Sequence, residues 1–192
     1  MIAFKGFSPD LTARLGRGRY QFAPGQTYRE DRSKTASCGF HCCENPFDCL
    51  SYYSLGSDRF FKVEAAGSID EDNSNRIACT EITLVQELDV KQFAGYGMIY
   101  MVNHPLRTGW EHSRGGILAA RDKADGMGQL IVIARGKHPL ARGREGTVIG
   151  LIMEPAEGEI AAARVFTVTR QQAGKWYTIT KNGKIEEVSD EV

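Results

Sequence analysis

Apolar and polar positions alternate with a period of two in several short stretches, which predicts strands. Ile2 to Phe7 reads as a first strand that stops at Pro9. Arg59-Phe60-Phe61-Lys62-Val63-Glu64-Ala65 reads as another, ended by Gly67, and Ile77 to Val85 as a third, with Ile82 and Leu84 set against Thr83 and Val85. Two segments carry helical spacing instead. Asn45-Pro46 predicts a helix start, with Asn45 as N-cap and Pro46 in the first position. Phe47, Leu50 and Tyr53 then share a face. Glu87 to Val102 predicts a second helix with Leu88, Phe93, Ile99 and Val102 inward, although Gly95 and Gly97 weaken it. Arg14 to Gly25 is glycine- and arginine-rich with a turn signal at Pro24-Gly25, and Asp70 to Asn75 reads as a polar loop.

From residue 104 onward the texture changes. Glycines punctuate short apolar runs, and the triplets Ala124-Asp125-Gly126, Ala134-Arg135-Gly136 and Ala141-Arg142-Gly143 recur at short intervals. Small residues at one spacing allow close stacking, so the pattern hints at a short coiled β stack. Strands are predicted at Val148 to Met153 and Val165 to Thr169. A hairpin joins Trp176 to Thr180 with Lys184 to Val188, turned by Lys181-Asn182-Gly183. The division expected from this is an α+β domain over 1–103 and a β-rich module over 104–192.

Composition changes little in this picture. Of 192 residues, 42% are hydrophobic and 25% charged, and 24 basic side chains cancel 24 acidic ones, so no global field draws the chain to nucleic acid or to an anionic membrane. No signal segment is read at the start, and no apolar run approaches a membrane span. Five bunched cysteines argue against a secreted disulfide framework and for a reducing bacterial cytoplasm.

The chemistry concentrates in Cys38-Gly39-Phe40-His41-Cys42-Cys43-Glu44-Asn45-Pro46-Phe47-Asp48-Cys49-Leu50-Ser51-Tyr52-Tyr53, which holds four of the five cysteines. Cys38, His41, Cys42, Cys43 and Cys49 could supply soft ligands, but no second knuckle completes a zinc pattern, and packing of small thiols is the simpler reading. Cys42 or Cys43 lies just before a helix start, where a thiolate would be stabilised; neighbours on a strand point to opposite faces, so His41 could pair with Cys43 but not with Cys42. His41 alone is more simply a histidine that braces a turn. Glu44 and Asp48, four apart, favour a helix start or form an acid/base couple.

Together with Ala3-Phe4-Lys5-Gly6-Phe7, this stretch resembles a family of phage- and prophage-encoded domains with a GFHxCENPxD signature and no assigned activity. More distantly, the order of elements resembles the ADP-ribosyltransferase-like fold. That resemblance implies an α+β fold, a mixed ADP-ribosyltransferase-like N-terminal domain followed by a small glycine-rich β C-terminal module. It also implies NAD as cofactor, Lys5 and His41 as its binding residues, and His41, Tyr52, Tyr53 and Glu81 as the catalytic set, Glu81 supporting an oxocarbenium-like transition state. The departures are plain: lysine replaces an arginine or histidine, His41-Cys42-Cys43 replaces a Ser-Thr-Ser triplet, and Cys79 stands where some members carry a second glutamate.

Two basic clusters remain, Arg14, Arg17 and Arg19 in one and Arg135, Lys137, Arg142 and Arg144 in the other; each could meet the phosphates of a nucleic acid or nucleotide, though a solvated loop is the simpler reading. The function expected is that of a phage-type accessory protein, a non-catalytic binder of a host or phage macromolecule acting against host defence. The alternatives are an NAD-dependent transferase or glycohydrolase, and a structural assembly protein.

Overall fold

In a computed structural model of the chain, described for residues 1–15, 18–71 and 75–189, strands dominate. The described residues contain fourteen strands, one α-helix and one short 3-10 helix. The α+β expectation is therefore overturned: the protein is mostly β. The physical reason lies in the alternation. Unbroken apolar runs at Ile131 and Val148 add further strands, and the helical motif at Asn45-Pro46 closes only a six-residue 3-10 helix. Two compact units are present, Met1–Asp89 and Val90–Val192.

The first unit is built on an antiparallel sheet. β1 (Ile2–Phe7) pairs with β6 (Arg59–Glu71), and β6 pairs with β7 (Ile77–Leu88). The far edge of β7 is shared by β4 (Thr27–Arg29) and β5 (Phe40–Cys42). The glycine- and arginine-rich stretch forms a separate hairpin, β2 (Thr12–Leu15) with β3 (Gly18–Gln21). Arg17 of the first basic cluster and 72–74 of the expected polar loop lie outside the described residues. β6 continues past Gly67 through a register shift between Ala66 and Ile69, so the strand is longer than its apolar core implied. The core gathers Phe7, Phe22, Phe40, Phe61, Val63, Ile82 and Leu84, with Tyr20 and Tyr28 packed against it. Its rings meet edge to face, Phe7 to Phe22 at 5.1 Å and Phe7 to Phe61 at 5.5 Å.

Asn45 does cap, accepting from the Phe47 amide at 3.1 Å, but the helix it opens is the 3-10 turn Pro46–Ser51. All of Pro46, Phe47, Asp48, Cys49 and Leu50 are buried, so tertiary packing rather than one amphipathic face holds it.

The second unit is no small module. It begins with α1 (Val90–Asn103), which packs on β11 (Val148–Met153) and β12 (Ala162–Thr167). β9 (Ile117–Asp125), β10 (Ile131–Arg142) and β11 run parallel, with Ile117, Ile131 and Val148 on successive rungs. Parallel neighbours ordinarily need a long crossover. Here the loops 126–130 and 143–147 are short, and β9 and β10 bend instead, shifting register between Arg135 and Leu140. Ala124 then faces Ala141, while Ala134 faces Ala120 and Leu151, so the three alanine–glycine triplets do not form one column. β8 (His112–Arg114) adds to β9, β12 to β11, and the hairpin β13 (Trp176–Ile179) with β14 (Ile185–Val188) forms where Asn182-Gly183 placed it. No helix among the described residues is long and apolar enough to cross a membrane.

Candidate functional site

Strand alternation sets Lys5 on the same side of β1 as Ala3 and Phe7, facing the core. Its side chain is buried, only 8% exposed. The ammonium or amine reaches the His41 carbonyl oxygen at 2.6 Å and lies 5.5 Å and 5.9 Å from the ring centres of Phe7 and Phe22. Among the described residues no carboxylate pairs with it. His41 is brought there by backbone pairing, because the Phe4 and Cys43 amides and carbonyls exchange hydrogen bonds at 2.7 and 2.8 Å along the free edge of β1.

Thiols surround this amine. Cys42, Cys43, Cys49 and Cys79 are all buried and all free. Cys49 Sγ donates to the Phe4 carbonyl and Cys79 Sγ to the Phe40 carbonyl, each at 3.4 Å. Hydrogen bonding between thiols comes first among the causes that push Cys42 and Cys49 well up, with burial behind it. Cys79 moves the other way because Cys42 hydrogen-bonds to it. Burial lowers the Lys5 pKa, against the attraction of the four thiols. Thiols held protonated are poor nucleophiles. No group of three or more His, Cys, Asp or Glu side chains among the described residues is placed to hold a metal ion.

A cleft of about 630 Å³ opens beside this cluster. Lys5, His41, Tyr52 and Tyr53 of the expected site all line it, as do Arg19, Arg76 and Asp58. Tyr53 packs against β1 at Gly6, where an added methyl group would come within 2.3 Å of its ring. Arg76 sits over the exposed Tyr52 ring at 5.6 Å, making a cationic and aromatic shelf. Asp58, the one carboxylate among the described lining residues, accepts the Ser54 amide at 2.8 Å. His41 uses its ring on the turn before it, where Nε2 accepts the Ala36 amide at 3.0 Å. Burial first, then the Lys5 and Arg76 charges, lower its pKa.

Residues 1–95 match the model of a domain of unknown function, DUF7666. No curated protein and no solved structure matches the chain. Every lining residue of the cleft falls inside the DUF7666 region.

Glu81 stands apart from the cleft. It lies on β7 opposite Arg29 of β4 and pairs with it at 2.8 Å. Arg76 and Asp58 carried no motif in the sequence; each sits just before a strand, β7 and β6 respectively, and only the folded sheet brings them to Lys5. Arg19 had a weak signal in its basic cluster. In the second unit Arg135 is fully buried and grips Glu154 through two bonds of 2.9 and 2.6 Å, while Arg142 pairs with Asp125 at 2.7 Å and lies 4.6 Å from the Trp176 ring. Of the second basic cluster, these two arginines thus serve contacts within their own unit.

Proposed function

We propose that the DUF7666 region is a binding domain for a small anionic ligand carrying a flat ring, with the nucleotide class as the best fit. One observation carries this reading: a buried lysine without a carboxylate partner among the described residues stands in the wall of a cleft that also gathers Arg19 and Arg76. Burying an amine uncompensated is unfavourable, and an incoming anion offsets that. The cleft's volume lies within the range typical of small-molecule sites. Tyr52 and Arg76 offer a surface on which a base can stack. The reading keeps the non-catalytic role expected from the sequence and makes NAD or ADP-ribose a ligand rather than a substrate.

Thermal shift and calorimetry with NAD, ADP-ribose and inorganic phosphate test it. Ligand at a hundredfold excess over Kd stabilises the fold by about 2.7 kcal/mol, enough to shift Tm by several degrees. We expect Arg76→Ala and Lys5→Met to weaken binding by about tenfold to a hundredfold, as loss of a charged hydrogen bond does. Glu81→Gln should leave it unchanged, and no nicotinamide should be released. Absence of any shift with all three compounds sinks the reading. NAD turnover that Glu81→Gln abolishes would restore the catalytic alternative.

A further inference from the structure

A lysine placed on the core face of a strand normally finds a carboxylate, which keeps it charged and inert. Lys5 has none among the described residues. Its amine is bounded by two aromatic rings, four thiols and one carbonyl oxygen, while its surroundings open on the cleft. The single acceptor among the described residues, the His41 carbonyl at 2.6 Å, takes one N–H and fixes the direction of the amine. Desolvation without a counter-ion favours the free base, the form that attacks carbonyl carbon.

We propose that Lys5 captures a carbonyl compound covalently, forming a Schiff base with a phosphorylated aldehyde that carries a flat ring and is seated in the cleft. This deepens the anion-binding reading and rests on it. The Nζ lone pair bonds to the carbonyl carbon, and the carbonyl oxygen takes the proton that nitrogen loses, giving a carbinolamine. Departure of that oxygen as water, with the second nitrogen proton, leaves the C=N bond. Electrons and atoms balance with no oxidant or reductant, and hydrolysis reverses the step. Arg19 and Arg76 hold the phosphate. Of the thiols beside Lys5, Cys42 and Cys49 are held protonated and compete poorly as nucleophiles.

The test uses the whole chain with pyridoxal 5′-phosphate as the anionic aldehyde probe, borohydride reduction, and peptide mapping by mass spectrometry. We expect Lys5 to label ahead of the exposed Lys34 and Lys184, and inorganic phosphate to suppress that labelling. Lys5→Arg cannot form the C=N bond, so it should lose the adduct while keeping the phosphate binding that Arg19 and Arg76 carry. Labelling of Lys34 and Lys184 with Lys5 unmodified overturns the proposal, whatever the variant does. Phosphate binding by calorimetry without a Lys5 adduct removes the covalent step and leaves the anion-binding reading standing. No phosphate binding and no adduct removes both.

Discussion

Asp70 receives the Thr35 amide and hydroxyl at 2.7 Å each and the Lys34 ammonium at 3.0 Å, tying the turn before β5 to β6. The amide of Thr35 above all, then its hydroxyl and Lys34, hold the charged form and lower the pKa from 3.8 to about 2. A depressed carboxylate contributes its stability in full above the unfolded value and loses it as the pH falls toward the folded one. Asp70→Asn should therefore lower Tm at neutral pH, and the gap from wild type should close as the pH falls from about 4 to about 2. A gap that persists unchanged through that window would show that the carboxylate charge does not hold this turn. The same turn explains His41. A histidine flanked by cysteines reads as chemistry in a sequence, yet its ring is occupied by the Ala36 amide, at a residue whose φ of 61° is costly for alanine and needs such support. Lys5 was legible as a basic residue on the first strand. That it is buried among thiols was not, because only the pairing of Phe4 with Cys43 puts it there.

Element boundaries were legible where side-chain pattern and backbone chemistry agreed, and lost where packing decided. The Trp176–Val188 hairpin follows from alternation and an Asn-Gly turn, and Val148–Met153 from an unbroken apolar run. α1 did form near the expected span, but with Phe93, Ala94, Gly97, Met98 and Met101 buried and Ile99 55% exposed. The face is rotated because the glycines are not defects there. Gly97 is on the buried side, and on the facing strand Gly150 makes room: a methyl added to it would lie 2.5 Å from Met98 Sδ and 3.1 Å from Ile133. Gly150→Val should thus cost about 1–3 kcal/mol by overpacking the helix against β11. Because Met98 is the side chain in the way, combining Gly150→Val with Met98→Ala should cost less than the sum of the two by about 1 kcal/mol. Urea denaturation of the four proteins checks this, and strict additivity would mean that the helix does not rest on Gly150. β9 and β10 were expected only as a short coiled β stack without strand bounds, for a related reason. Their glycines and charged residues break the apolar runs, while the parallel rungs of Ile117, Ile131 and Val148 supply the burial that no single strand shows.

At the scale of the whole molecule, the family match and the packing divide the chain at slightly different places. The match runs to residue 95, a short way into α1, whereas the first compact unit ends at Asp89. The cores decide between them. Phe7, Phe22, Phe40 and Phe61 close one cluster without any residue of α1, while Val132, Ile149 and Leu151 belong to another, and α1 packs on β11 and β12. A unit with its own core can fold alone. We expect a fragment of residues 1–89 to melt cooperatively by circular dichroism and to bind inorganic phosphate as tightly as the full chain. A fragment of residues 1–103 should gain no stability from its added helix, since the partners of Phe93, Met98 and Met101 are gone, and those side chains should drive self-association on size exclusion. If 1–89 shows no cooperative melt while 1–103 does, α1 belongs to the first unit's stability. If 1–89 folds yet loses phosphate, ligand recognition depends on more than the cleft around Lys5, because every residue lining that cleft is retained in the fragment.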